Sequence, residues 1–208
     1  MRPKHFAFTL ILAAAVTGCA AHYTIVPPAV DLGSLGTIGL VTFKAADAKG
    51  DLDVAATQLF LQEVTAAQRV PVVELGTQDT VLADIGKTSF DRDAALAIGE
   101  KQGVEAFFVG EIAVTKVKPQ VDLLAPLSKT LFARAAFDIA VKVRLVSTRN
   151  GATLWTDSAL RQGTVGAVGM DGGVPVFSVR DKGAALNDLL REIMYRLTWD
   201  FRPTRQRL

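Results

Sequence analysis

VEAFFVGEIAVTKV, Val104 to Val117, is the strongest strand signal in the chain. Its first half is apolar on both faces, which predicts the centre of a sheet, and its second half alternates. Working outward, Asp91 can cap a helix that runs through Gln102 and stops at Gly103. Phe90, just before that cap, is placed to staple onto the first turn. Downstream, Phe132 to Ser147 alternates cleanly: Phe137, Ile139, Val141, Val143 and Leu145 face one way, and Asp138, Lys142 and Arg144 the other. Arg149-Asn150-Gly151 reads as a hairpin turn, and Ala152 to Thr164 as the returning strand, with Trp155 on it.

Toward the amino terminus, Thr37 to Phe43 (TIGLVTF) predicts a buried strand and Lys44 to Gly50 a polar loop. Asp51 can cap a helix over Leu52 to Ala67, whose apolar face is Ala56, Leu59, Phe60, Val64 and Ala67. Arg69 to Leu75 is a second short strand, and Pro71 within it favours a sheet edge or a bulge. Thr77 can cap a short helix ending at Gly86. Toward the carboxyl terminus, Val165 to Asp181 reads as a glycine-rich loop. Lys182 to Phe201 is a last helix, striped by Leu186, Leu189, Leu190, Ile193, Leu197 and Phe201. The order β-α-β-α-α-β, hairpin, helix predicts an α/β fold: a mixed sheet of about five strands with a long antiparallel hairpin and three to four packed helices. One domain over 37–201 accounts for all of it. Ala20 to Gly36, with Pro27-Pro28 and no sustained period, reads as a tether reaching roughly 60 Å at full stretch. Arg202 to Leu208 reads as a basic flexible tail.

The start of the chain has a different character. Arg2 and Lys4 precede an apolar run, Phe6 to Ala15, broken only by Thr9, and small residues close the segment. That is the layout of a secretory signal peptide over 1–18, too short to span a bilayer comfortably. The closing Val16-Thr17-Gly18-Cys19 resembles the lipobox of bacterial lipoproteins. The resemblance implies cleavage before Cys19, a diacylglycerol thioether on its sulfur and an acylated amino group, such as palmitate supplies. Several acyl chains make an effectively permanent anchor. The alternative is a plain secretory signal with an incidental cysteine. Ala20, rather than an aspartate, follows the cysteine and resembles the sorting signal of outer-membrane lipoproteins, which implies the periplasmic face of that membrane.

Composition removes whole classes of chemistry. The chain has 23 Lys+Arg and 21 Asp+Glu. Loss of Arg2 and Lys4 with the signal leaves 21 of each, so no basic surplus remains to attract nucleic acid. Half of the chain is apolar, which argues for a packed core. The two histidines are His5 and His22, and Cys19 is the single cysteine. From Tyr23 onward there is therefore no Ser-His-Asp or Cys-His catalysis, no zinc site with nitrogen or sulfur ligands, no thiol redox chemistry and no disulfide. The expectation is no catalytic residues, no metal and no small-molecule cofactor.

Spacing decides the local motifs. Gly86-Lys87-Thr88 resembles the end of a phosphate-binding loop, but Val81 stands where that loop needs glycine, and the triplet follows a helix instead of preceding one. Gly163, Gly166, Gly169 and Gly172 recur every third residue. They suit a surface loop, or a segment that orders against a neighbouring subunit. Asp47, Asp51 and Asp53 miss the calcium-loop spacing, with Lys49 at a ligand position. Glu105 and Glu111 share a strand face and are the only carboxylate pair that invites an acid–base reading. Trp155 is either core or a contact residue, and Leu123, Leu124 and Leu127 around Pro126 are either a satellite core or an exposed apolar contact.

In order, TIGLVTF, RVPVVEL, ALAIGEKQGVEAFFVGEI, DIAVKVRLVSTRNGATLW and an amphipathic helix resemble one periplasmic domain. It is shared by the curli secretion channel (CsgG-like), the Pel exopolysaccharide lipoprotein, the penicillin-binding-protein activator lipoprotein and the TolB amino-terminal domain. In that superfamily a phrase like Ala94 to Gly110 links a helix to the central strand, and one like Leu145 to Trp155 makes the hairpin turn. The resemblance implies a non-catalytic, membrane-tethered module that often forms rings: a scaffold for export of a polysaccharide or fibre, working through self-association or an envelope protein partner. Trp155, Leu123, Leu124, Leu127, Gly166 and Gly169 are then the candidate contact residues. The alternative is a regulator that activates a cell-wall synthase. Two departures stand out. The break at Lys118 to Leu131 is too short and proline-rich to match the pore hairpins of the curli channel, and the tether is shorter than an activator lipoprotein's.

Overall fold

A computed structural model describes residues 23–46, 49–120, 134–166, 169–171, 174–177 and 184–207. In chain order the strands are β1 (Tyr23–Val26), β2 (Ile38–Thr42), β3 (Lys44–Ala45), β4 (Lys49–Gly50), β5 (Val72–Thr77), β6 (Ala106–Gln120), β7 (Arg134–Ser147), β8 (Thr153–Gly166), β9 (Gly169–Asp171), β10 (Val174–Phe177) and β11 (Thr204–Arg207). The helices are α1 (Leu52–Ala67), α2 (Gln78–Asp84), α3 (Arg92–Gln102) and α4 (Ala184–Leu197), with 3-10 turns at Leu32–Leu35 and Trp199–Phe201.

The main sheet runs β5-β2-β6-β7-β8, with β3 also paired to β6. β2 is parallel to β5 and β6, whereas β6, β7 and β8 are antiparallel, so the sheet is mixed. The α/β expectation therefore holds, and Val104 to Val117 does supply the central strand. β5 lies at an edge, as Pro71 requires. The proline has no N–H, but its carbonyl accepts from Ile38 N at 3.1 Å. Helix ends follow the cap residues. Thr77 accepts from Thr80 N and Asp91 from Ala94 N, while Gly103 closes α3 in the left-handed conformation at φ 65°. Asp51 stands at the N-cap of α1 without a side-chain cap bond.

One sheet face is covered by α1 and α4. Leu40, Phe43, Phe60, Phe108, Ile139, Val141, Val143, Leu145, Leu190, Ile193, Leu197 and Phe201 meet there, all at most 1 % exposed. The ring of Phe108 stands at the centre, its centroid 5.1 Å from Phe60 and 5.7 Å from Phe201. On the opposite face α2 and α3 pack Val81, Ala95 and Ile98 onto Val41, Phe107, Val109 and Val146. Phe90 joins this second cluster, with its ring 5.8 Å from Phe107. No helix among the described residues is long and apolar enough to cross a membrane.

Four segments read as irregular are ordered differently. The polar loop at Lys44 to Gly50 contributes β3 and β4, because Phe43 lies over Gly110 and the chain then rejoins β6. The glycine-rich stretch holds β9 and β10, which form a three-stranded sheet with β4. The tether and the tail both belong to the fold from Tyr23 onward: β1 pairs antiparallel with β11. Leu32 within the expected tether is fully buried, and its N–H donates to Gln68 Oε1 at 2.9 Å. Gln68 Nε2 donates to the carbonyls of Val30 and Phe201, so one side chain ties both chain ends to α1. Neither end has an apolar period, since a two-stranded ribbon buries little. Each supplies the other's ladder bonds, which local patterning does not reveal.

Candidate contact surface

α2 and α3 cover only part of their sheet face. Beyond Val109 the same face of β6 and β7 changes from apolar to charged, and α2 reaches its near edge, where Gln78 Nε2 donates to Gly110 O and Asp79 pairs with Lys44. Cross-strand register places Lys44 beside Glu111, Glu111 opposite Lys142, and Val109 opposite Arg144. On β8 Ser158 stands opposite Lys142, Thr156 opposite Arg144, and Leu160 opposite Ala140. Leu160 is 55 % exposed. Among the described residues Glu111, Lys142 and Arg144 join no ion pair, and with Val109 they line an open hollow of about 250 Å³. A small, charged hollow beside an exposed leucine suits a macromolecular contact better than a small molecule, which needs a larger, mostly apolar pocket.

The predicted contact residues do not converge there. Trp155 packs in the core at 8 % exposure, its ring centroid 4.7 Å from that of Phe201, and its Nε1 donates to Asp200 Oδ2 at 3.0 Å. That corrects its assignment to an exposed contact: a buried indole needs a hydrogen-bond acceptor, and Asp200 provides it. Gly166 ends β8 opposite Arg134, and Gly169 begins β9 opposite Val176. Both are strand residues, not loop residues. Leu123, Leu124, Leu127 and Cys19 lie outside the described residues. The residues that sequence reading missed are Lys142, Arg144 and Leu160. Lys142 and Arg144 were legible as the polar face of β7, but nothing local says that this face lacks a helix.

The carboxylate pair is not brought together. Six residues along an extended strand separate Glu105 and Glu111 by roughly 20 Å, well beyond the spacing for shared acid–base work. Glu105 Oε2 instead accepts from Thr37 N at 2.8 Å, beside a shallow trough of about 420 Å³ lined also by Glu100, Thr148 and Arg149. Gly86 ends α2 at φ 65°, and Lys87 N donates to Leu82 O, so Gly86-Lys87-Thr88 acts as a helix stop. Asp53 uses its side chain on Val54 N.

The class defined by these features is a mixed-sheet α/β domain with helices on both faces and, among the described residues, a charged hollow at Glu111, Lys142 and Arg144. Among solved structures the same fold is found in the PelC dodecamer from Paraburkholderia phytofirmans. It matches at TM-score 0.51 with 14 % identity over 87 % of this chain and 98 % of that one. A single-substitution variant of that dodecamer also scores 0.51, with 11 % identity and coverage of 88 % and 98 %. The LpoB C-terminal domain from Salmonella enterica matches at 0.39 with 11 % identity, covering 73 % of this chain and 91 % of that one. No protein-family model matches the chain, and no curated protein matches it.

Proposed function

We propose that the chain is a non-catalytic envelope scaffold, anchored through acylated Cys19 to the periplasmic face of the outer membrane, which self-associates to support export of a polysaccharide or fibre. The observation that carries this reading is the fold shared with PelC over nearly the full length of both chains, a protein found as a dodecamer. The lipobox-like Val16 to Cys19 and the absence of histidine and cysteine from Tyr23 onward support the anchor and the lack of catalysis. The open quadrant with Glu111, Lys142, Arg144 and Leu160 is the contact surface between copies, since it offers both charge signs to a matching patch.

Activation of a cell-wall synthase has less support. Such a role needs reach, and β1 already begins at Tyr23, so the segment from Cys19 spans only about 14 Å. Mass measurement of detergent-extracted particles tests the proposal. A multiple of the protomer mass is expected, together with an acyl mass on the peptide that begins at Cys19. A monomer at micromolar concentration would overturn the assembly, and an unmodified Cys19 would overturn the anchor.

A further inference from the structure

The β1–β11 ribbon stands closest in the chain to the proposed anchor, and its two faces differ. Register places Tyr23 opposite Arg207 and Ile25 opposite Arg205. Directly opposed residues share a face, so one side of the ribbon carries Tyr23, Ile25, Arg205 and Arg207. All four are exposed, Ile25 at 71 % and Tyr23 at 59 %. The other side is turned inward in part, with Thr24, Val26 and Thr204 half-buried. Neither strand contains an acidic residue.

We propose that this ribbon face lies on the bilayer in which Cys19 is anchored and binds its anionic phospholipid headgroups. The proposal rests on acylation of Cys19. Three residues separate Cys19 from Tyr23, so the chain holds the ribbon within about 14 Å of the membrane surface whatever the body does. At that distance the composition of the face fits its surroundings. Tyrosine belongs at the headgroup level, isoleucine can dip into the acyl boundary, and two arginines on strands without an acidic residue complement phosphate, while the neighbouring Arg202 is paired with Glu63. The segment bonded to the foot of the ribbon also exposes aromatic rings. Val30 N donates to Asp200 O at 3.1 Å, joining the foot of the ribbon to the Trp199–Phe201 turn. There Trp199 and Tyr195 are nearly half exposed and stack edge to face at 5.9 Å. Arg202 lies over the Tyr195 ring at 4.7 Å. The ribbon thus turns a single-point lipid anchor into one with a fixed orientation, leaving the open quadrant of the main sheet free for neighbouring copies.

The test uses the full lipidated chain in vesicles. With Cys19 acylated, Ile25→Cys introduces the one reactive thiol, which takes a fluorophore. Glu100→Cys on exposed α3 is the control position. In vesicles of three parts phosphatidylethanolamine to one part phosphatidylglycerol, acrylamide should quench the probe at Ile25 at least threefold less than the probe at Glu100. Adding Arg205→Glu and Arg207→Glu should bring the two within twofold. The proposal is overturned if the two probes are quenched equally from the start. It is also overturned if the arginine substitutions leave protection unchanged while lowering the particle mass, which would make the ribbon a contact with a second copy. Labelling of Cys19 as a second thiol would overturn the anchor, and the orientation that depends on it.

Discussion

The two faces of the main sheet differ in how far their apolar residues extend. On the α1–α4 face the apolar run continues along β7 from Ile139 to Leu145, and α4 lies across it with Leu190, Ile193 and Leu197. On the α2–α3 face the apolar cluster stops at Val109 and Val146, and beyond it α2 makes polar contacts through Gln78 and Asp79. Past that point the described residues on this face include Glu111, Lys142 and Arg144, with Leu160 exposed beside them on β8. Helix cover on a sheet therefore ends where burying the next residue would cost more than it returns: desolvating Lys142 or Arg144 without a partner costs several kcal/mol, against about 1.5–3 kcal/mol gained per buried aliphatic side chain. The same comparison separates stability from the proposed contact: the closed face holds the fold, and the charged hollow is where substitutions test the proposed assembly without altering the fold.

Three changes would break or sharpen that contrast. Phe108→Ala on the closed face should have the largest effect. Its ring packs on Phe60, Phe201 and Trp155, and the loss should be about 3–5 kcal/mol in thermal or urea unfolding. A loss under about 1 kcal/mol would mean that the face is not the core. Gly110→Ala should come next. A Cβ there would sit 2.6 Å from the Phe43 ring, which is itself held against Phe60, and overpacking of this kind costs about 1–3 kcal/mol. Gln78 Nε2 donates to the Gly110 carbonyl at 2.8 Å, so the backbone has little room to move away. Smallest in stability is the pair Lys142→Glu with Arg144→Glu. The unfolding midpoint should shift by no more than about 0.5 kcal/mol equivalent, while the particle mass falls toward that of a monomer. If mass stays constant and stability drops, the quadrant is structural and the proposed contact lies elsewhere.

Much of the fold was legible in local chemistry. Asp91, Thr77 and Gly103 marked helix ends because their side chains or backbone satisfy groups a helix leaves open. Asn150-Gly151 marked the hairpin, and Gly151 does adopt φ 72°. The contact surface was less legible. Trp155 attracted attention as a large residue on a strand, yet its burial depends on Phe201 and Asp200, some 45 residues away. The glycine repeat looked like a loop because glycine disfavours strands, but pairing between β9, β10 and β4 overrode that preference.

By itself the sequence determined where histidine and cysteine are missing, where the central strand and the capped helices lie, and how the hairpin turns. These depend on composition, periods and caps within a few residues of one another. Only the tertiary structure decided that Tyr23–Val26 and Thr204–Arg207 pair as a ribbon, that Gln68 ties both to α1, and that Glu111 and Lys142 stay exposed on the sheet. Those outcomes rest on hydrogen bonds and packing between segments distant in the chain, such as Gln68 to Phe201, 133 residues apart. A local pattern carries no record of which distant segment will complete it.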